Sequence, residues 1–275
     1  MKKVPARLHV LMAREARTGL VIRRGPSNTV AVIGWNLRTD KFSLGQWLRA
    51  RIYERRCDLS PNGKWFIYFA MNGRWDSQTK GSWTAISRAP FLKAVTLLAK
   101  GDCWNGGGLF TDSQHYWIND GYGHVVLSDH GKLQRDVDYQ PPELYGGECP
   151  GVYYVRLQRD GWSLVRRKNR SEWNDTTVFE KKLRGGWILR KFAHEQAGAP
   201  PGKGFYWDEH ELEHAESGEL VSGKGWEWAE LDGQRLVWAE AGRLSTGYLR
   251  RGGLHDVRCL RDFNEMIFQP IAAPY

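Results

Sequence analysis

The alternation of apolar runs with short polar turns predicts a chain built from strands. The clearest case is residues 65–70, a run of aromatic and aliphatic residues that follows the turn sequence SPNG at residues 60–63. Proline presets the backbone of a turn and asparagine and glycine tolerate positive φ, so residues 58–70 predict a β-hairpin. Because the apolar residues are consecutive, we expect the second strand to be buried on both faces.

Two further segments repeat this turn chemistry. Residues 152–166 and residues 226–238 each have an Asp-Gly dipeptide between apolar runs, and this pattern predicts two more hairpins. A polar turn also precedes an aromatic strand within residues 111–118. Residues 89–100 are apolar enough for either a helix or a buried strand, so their assignment stays open.

Residues 58–70, with the sequence DLSPNGKWFIYFA, resemble a unit that recurs in β-propellers of the WD40 and TolB-like kinds. In that unit a Ser-Pro-Asp-Gly turn leads into apolar residues and a tyrosine, and here Asn62 stands in place of the aspartate. The resemblance implies an all-β fold, a β-propeller of five or six blades with irregular repeats. The length of the chain and the absence of a linker-like run of Ser, Gly or Pro predict that residues 1–275 form one domain. The glycine-histidine to tryptophan-aspartate signature of WD40 blades is absent.

Composition agrees with an all-β protein. The chain of 275 residues has 14 Trp, 11 Tyr and 10 Phe, which favour strands, and 31 Gly and 11 Pro, which favour frequent turns. The apolar stretch at residues 8–13 is too short for a signal peptide, and no stretch approaches the roughly 20 apolar residues of a membrane span. From the sequence we therefore expect a soluble, cytoplasmic protein without membrane association.

The formal net charge is +9, and the basic residues concentrate in residues 49–56 and 156–170. A basic, aromatic surface can bind nucleic acid, and an acidic protein partner fits the same excess of charge. These arginines could instead be solvent-facing strand positions that protect sheet edges from aggregation. The chain has no nucleic-acid motif, so a protein partner is our prediction and nucleic acid is the alternative.

Several short sequences imitate catalytic motifs. His210 and His214 fit the zinc motif H-E-x-x-H, which requires a helix. Residues 205–220 lack helical periodicity and predict a strand, in which both histidines share one face and the intervening glutamates point away. Residues 218–225 fit most of a P-loop but have glycine where Ser or Thr should bind magnesium. We therefore predict no metal, no cofactor and no named catalytic residue, although scattered carboxylates could still converge in a propeller hydrolase.

Tryptophan in polar loops is the strongest indication of function. Trp75, Trp104 and Trp173 lie among Asn, Asp, Arg and Gly residues, where a tryptophan can anchor a protein partner, stack on a sugar or fold back over the strands. With Arg166 and Arg167, they are the predicted binding residues. The sequence thus predicts a non-catalytic binding protein, a rigid propeller that binds an acidic protein in an immunity or regulatory role. The alternatives are a carbohydrate-binding propeller lectin and a propeller hydrolase.

Overall fold

The protein consists mainly of β-strands and turns. The computed structural model describes residues 4–25, 28–146, 148–167, 176–201 and 203–275. Within these ranges there are 22 strands, one α-helix and two short 3-10 turns, which confirms the predicted all-β class. The contacts divide the chain into two compact units. The first comprises Met1–Val4, Val10–Arg156 and Met266–Tyr275, and the second comprises Pro5–His9 and Leu157–Glu265.

Four consecutive strands form the first sheet: β1 (Arg7–Met12), β2 (Thr18–Arg24), β3 (Val30–Asn36) and β4 (Lys41–Leu48). Strand β3 pairs antiparallel with both β2 and β4. The central residues of β2 and β3 are buried without polar alternation. This is the pattern of strands that are covered on both faces.

The second sheet has the strand order β12-β9-β8-β7-β5, and β6 also pairs with β7. Its strands are β5 (Arg51–Ile52), β6 (Asp58–Leu59), β7 (Trp65–Met71), β8 (Ser82–Arg88), β9 (Ala94–Ala99) and β12 (Val125–Asp129). The third sheet contains β10 (Gly108–Phe110), β11 (His115–Ile118) and β13 (Gln134–Arg135), and here β11 and β13 run parallel. The segment at residues 89–100, which the sequence left open between helix and strand, contains strand β9.

The hairpin predicted at residues 58–70 is confirmed. Its turn closes where Gly63 N donates to Ser60 O at 2.8 Å, and Gly63 has a φ of 71°, which favours glycine. Along β7, Phe66 packs in one hydrophobic cluster and Ile67 packs in another. Strand β7 is thus buried on both faces, as its continuous apolar sequence predicts.

The hairpin predicted at residues 152–166 is wrong, because its first half belongs to helix α1 (Pro150–Arg159). Gly161, with a φ of 89°, follows the helix. The N–H groups of Gly161 and Trp162 donate to carbonyls of the last helical turn at 3.1 and 2.9 Å. These two bonds make a Schellman motif, so the Asp-Gly dipeptide caps a helix here. None of the helical segments in the described ranges has the length and apolar character that crossing a membrane requires.

The second unit contains two further sheets. The fourth sheet has the order β14-β15-β16-β17-β18, and the fifth has the order β19-β20-β21-β22. Their bounds are β14 (Ser163–Arg166), β15 (Thr176–Lys182), β16 (Trp187–Glu195), β17 (Tyr206–His214), β18 (Leu220–Gly223), β19 (Trp226–Asp232), β20 (Arg235–Glu240), β21 (Arg243–Arg250) and β22 (Gly253–Asp262). Strands β19 and β20 pair from Asp232 and Arg235 outward, which confirms the hairpin predicted at residues 226–238.

Candidate functional site

Three loops carry exposed aromatic side chains in the first unit. Residues 72–81 connect β7 to β8, residues 100–107 connect β9 to β10, and residues 119–124 connect β11 to β12. Their aromatic residues Trp75, Trp104 and Tyr122 are 54%, 56% and 89% exposed. We call these three side chains the aromatic loop surface.

Direct contacts hold the three loops together. The hydroxyl of Ser82, which begins β8, donates to the carbonyl of Asp102 at 2.6 Å. Lys100 Nζ lies 5.9 Å from the centre of the Tyr122 ring. A Cβ atom added at Gly121 would lie 2.2 Å from Asn105 Nδ2, so the second and third loops approach each other closely at this glycine.

Trp75 is positioned by a glycine. A Cβ atom added at Gly81 would lie 2.4 Å from Cε3 of the Trp75 ring, and Gly81 has a φ of 79°. The indole therefore packs directly on the backbone of Gly81, while more than half of the Trp75 surface remains exposed. A ring that is supported in this way loses little conformational freedom when a ligand covers its exposed side.

Trp104 is positioned by a buried arginine. Arg56 is fully buried, and its guanidinium donates to the carbonyl of Cys103 at 2.8 Å, to the carbonyl of Asn105 and to the carboxylate of Glu148. The same guanidinium lies 4.8 Å from the ring centres of both Tyr53 and Phe69. Because the carbonyls on either side of Trp104 are held, the backbone that presents this side chain is fixed.

The glycines after Trp104 permit a close backbone approach. A Cβ atom would lie 2.4 Å from Phe69 Cδ2 at Gly106 and 1.9 Å from Arg56 O at Gly107. Both glycines also have positive φ. The sequence GGG at residues 106–108 therefore serves loop packing, which is the structural reading of three adjacent glycines.

A buried polar network lies beneath the loops. Thr84 Oγ1 is 2.9 Å from His124 Nε2, and His124 Nδ1 is 2.5 Å from Asp120 Oδ1. The arrangement has the connectivity of a catalytic triad. However, Thr84 is fully buried, and its oxygen already accepts a hydrogen bond from Gly107 N at 2.9 Å. The network therefore joins β8 to the second and third loops and does not present a nucleophile.

Electrostatics fix the protonation of this network. Burial lowers the pKa of His124, and this effect outweighs the opposing hydrogen bond with Asp120. Burial alone would raise the pKa of Asp120, but hydrogen bonds from His124 and Arg135 lower it overall. A neutral His124 can donate through Nδ1 to the Asp120 carboxylate and accept through Nε2 from the Thr84 hydroxyl.

The H-E-x-x-H sequence lies in strand β17, as its lack of helical periodicity predicted. His210 Nε2 is 2.6 Å from Lys191 Nζ, and His210 Nδ1 is 2.8 Å from the Trp226 carbonyl. His214 packs edge-on against Trp187. Both ring nitrogens of His210 are engaged, and the described residues contain no group of three or more His, Cys, Asp or Glu side chains placed to hold a metal ion.

The predicted binding residues fall at different places. Trp75 and Trp104 lie on the first and second loops of the aromatic loop surface, whereas Arg166 ends β14 in the second unit and Arg167 follows it. Both arginines are exposed. Trp173 lies outside the described residues.

Sequence reasoning missed part of the exposed apolar surface. Tyr122 is followed by strand β12, in which Val125, Val126 and Leu127 are 57%, 63% and 38% exposed. Strand β12 is at the edge of the second sheet. The consecutive apolar residues 125–127 could have indicated an exposed apolar strand, but a buried strand has the same sequence pattern.

Two arginines of the basic run at residues 49–56 are buried, whereas the sequence predicted that this run lies on the surface. Arg55 is 8% exposed and Arg56 is 0% exposed, so neither is a solvent-facing strand position and neither can contact a nucleic acid. They lie in a 3-10 turn, Glu54–Arg56, that follows β5. The physical reason is that aromatic rings and backbone carbonyls replace water around the Arg56 guanidinium, which makes its burial tolerable.

No protein-family model matches the sequence, and no curated protein matches it. Among solved structures, hydrazine synthase of Kuenenia stuttgartiensis is similar at 12% identity and a TM-score of 0.32, over 90% of this chain and 77% of that chain. An uncharacterized protein of Listeria monocytogenes EGD-e is similar at 8% identity and a TM-score of 0.31, over 94% and 67% of the two chains.

The GH43 protein BlXynB of Bacillus licheniformis is similar at 9% identity and a TM-score of 0.31. The match covers 99% of this chain and 60% of that chain. We transfer neither a fold nor an activity from similarities of this size.

Proposed function

We propose that the protein is a non-catalytic binding protein and that the aromatic loop surface binds a protein partner. Tryptophan and tyrosine are among the residues that contribute most to protein–protein binding. Trp75, Trp104 and Tyr122 are exposed on loops whose backbones are held by Gly81, Arg56 and the Thr84 network. Preorganised loops lower the entropic cost of binding.

The observation that carries this proposal is the apolar extension of the surface. Strand β12, which begins three residues after Tyr122 and lies at the edge of the second sheet, exposes the side chains of Val125, Val126 and Leu127. A sugar needs a few separate stacking rings, whereas exposed aliphatic side chains in addition to aromatic ones suit the apolar core of a protein interface.

The charges near the aromatic loop surface favour an acidic partner. Arg74 and Lys80 are exposed on either side of Trp75, with Asp76 as the one acidic residue of the same loop. In the second unit, Arg166 and Arg167 are also exposed and contribute to the basic character of the chain. Such charges increase the rate of association with an acidic protein and determine its dependence on salt.

A carbohydrate ligand is the second candidate, and Trp75 favours it. Its indole is supported on Gly81 and exposed over more than half of its surface, and a flat, supported ring of this kind stacks well on the apolar face of a sugar.

We also propose that the five sheets of the described residues are the blades of a β-propeller that spans residues 1–275. Five sheets of mainly antiparallel strands support this architecture, and the confirmed turn-and-strand unit at β6 and β7 supports it independently.

Affinity capture from native lysate tests the proposed function. The bait proteins are the wild type, the double variant Trp75→Ala/Trp104→Ala and the control Tyr248→Ala, which removes an aromatic residue that is 40% exposed in the second unit. We expect one protein to be retained by the wild type and the control and to be lost with the double variant, and purified components should then show at least tenfold weaker binding for the double variant. Capture that is equal for all three baits would refute the proposal. If the wild type and the control bind a glycan on an array and the double variant does not, the carbohydrate candidate is favoured instead.

A further inference from the structure

A second candidate site lies at the opposite end of strand β7 from the aromatic loop surface. Strand β7 begins at Trp65, next to the SPNG turn, and ends at Met71, where the first aromatic loop begins. A cavity of about 350 Å³ opens beside Trp65. We call it the lysine cavity and define it by Asn62, Lys64, Trp65, Ser113, Lys132 and Gln134.

The lysine cavity has two cationic groups and no acidic lining. Lys64 Nζ lies 5.1 Å from the centre of the Trp65 ring, and Lys132 lies on the segment between β12 and β13. Among the residues that the structure describes, no Asp or Glu lines the cavity. The two ammonium groups therefore give the cavity a local charge that suits a dianion.

The neutral lining groups are arranged as hydrogen-bond donors. Asn62 Oδ1 accepts hydrogen bonds from Ser60 Oγ at 2.8 Å and from Lys64 N at 3.0 Å, which leaves the NH₂ group of Asn62 for a ligand. Gln134 Oε1 lies 3.2 Å from His115 Nε2. With its oxygen occupied by His115, Gln134 likewise offers its NH₂ group.

His115 reinforces this orientation. Its Nδ1 is 2.8 Å from Asp112 Oδ2, and this hydrogen bond, supported by that of Gln134, raises the pKa of His115. A protonated His115 can donate from both ring nitrogens, to Asp112 and to Gln134 Oε1. The donor character of Gln134 toward the cavity is thus strongest when His115 carries a proton.

Ser113 supplies the observation that points to a ligand. Its hydroxyl oxygen is buried and has no hydrogen-bond partner within the described part of the chain, and Ser113 lines the cavity. A buried hydroxyl without a partner costs free energy, and rotation of the Ser113 side chain toward the cavity would let a bound acceptor remove that cost.

We propose that the lysine cavity binds a small molecule that carries a phosphate group. A phosphate monoester has a charge of about −1.5 to −2 and three acceptor oxygens. Two ammonium groups, two amide NH₂ groups and one hydroxyl match this charge and this number of acceptors, and the cavity volume of about 350 Å³ accommodates the group with a small organic substituent. This site is independent of the proposed protein-binding function.

Calorimetric titration with inorganic phosphate and with glucose 6-phosphate, at constant ionic strength, tests the proposal. The test variant is Lys64→Gln/Lys132→Gln, and the matched control is Arg74→Gln/Lys80→Gln, which removes the same charge at the other end of β7. We expect the test variant to bind at least tenfold more weakly and the control to bind like the wild type. Ser113→Ala should weaken binding about fivefold, as the loss of one hydrogen bond does.

Each result of the titration is decisive. Binding of both probes places recognition in the phosphate itself, whereas binding of the ester alone adds a contact with the organic part, and either result supports the site if the test variant loses it. Absence of binding by both probes overturns the proposal. An equal loss in the test and control variants also overturns it, because it indicates non-specific attraction by the net positive charge. Circular dichroism of each variant checks that the fold is undisturbed; the substituted lysines and Arg74 are exposed, and Ser113 is partly buried.

Discussion

Replacement of Arg56 by methionine should destabilise the first unit and release the loop that presents Trp104. Methionine fills a similar volume and keeps apolar contact with the rings of Tyr53 and Phe69, but it has no hydrogen-bond donor. The carbonyls of Cys103 and Asn105 then lose the guanidinium that holds them.

The size of the effect follows from the contacts of Arg56. Each of the two carbonyls loses a charge-assisted hydrogen bond, and because Cys103 and Asn105 are partly exposed, we expect about 1 kcal/mol for each, the lower end of the usual range. The side chain of Glu148 is 22% exposed and can regain water. Loss of two cation–π contacts adds about 1 kcal/mol. We therefore expect the free energy of unfolding to fall by about 3 kcal/mol.

Guanidinium denaturation followed by tryptophan fluorescence measures this loss, and limited trypsin digestion at Lys100 measures the release of the loop. Arg74→Met is the matched control, because Arg74 is exposed and its replacement should change the stability by less than about 0.5 kcal/mol. Arg56→Lys keeps a charge for Glu148 but cannot span both carbonyls, so it should give an intermediate loss. If Arg56→Met were as stable and as protease-resistant as Arg74→Met, Arg56 would not be what holds the loop.

Three further results are expected. Trp65→Ala should lower the free energy of unfolding by about 3 to 5 kcal/mol, because Trp65 is 5% exposed. Trp75→Ala should lower it by only about 1 kcal/mol and should weaken partner capture. If chemical denaturation shows similar losses for the two variants, Trp75 has a structural role and not a binding role. Gly81→Ala should displace the Trp75 ring and weaken capture as much as Trp75→Ala does, measured with the same partner. Because burial lowers the pKa of His124 below 6.5, the unfolded chain binds this proton first. Stability should therefore decline as the pH falls from about 7 to 5, and urea denaturation at each pH should show a smaller decline for His124→Gln.

The strand content was predictable because its signals are local. At residues 58–70 the turn sequence and the apolar run lie next to each other, and both agree with the hairpin β6–β7. The same holds for residues 226–238. In both cases the chain reverses within a few residues, so no distant contact is needed to choose the structure.

Helix α1 was not predictable by the same reasoning. Valine and tyrosine at residues 152–155 favour strands, and the Asp-Gly dipeptide at residues 160–161 favours a hairpin turn. A glycine with positive φ serves a hairpin turn and a Schellman cap equally well, and only the packing of the preceding residues distinguishes them. Val152 and Tyr153 are almost completely buried, so tertiary packing decided this segment against local propensity.

The exposure of two loop tryptophans was predictable. Polar loops do not need tryptophan, and this argument selected Trp75 and Trp104, both of which the structure leaves more than half exposed. That their loops contact each other and the loop of Tyr122 follows from which strands are neighbours in the second and third sheets, information that one sequence does not contain. Arg56 was missed because a buried arginine and a solvated arginine look alike within a basic run.

Two of the glycines determine the geometry of the aromatic loop surface. In the sequence, the 31 glycines indicate turns, but at Gly81 and Gly107 the structure requires the absence of a side chain for a further reason: a Cβ atom would occupy the space of the Trp75 ring or the Arg56 carbonyl. The geometry of the aromatic loop surface is therefore determined by residues that would never touch a partner. Substitutions at such positions should impair binding without altering any contact residue, which is why a scan restricted to exposed side chains would underestimate the site.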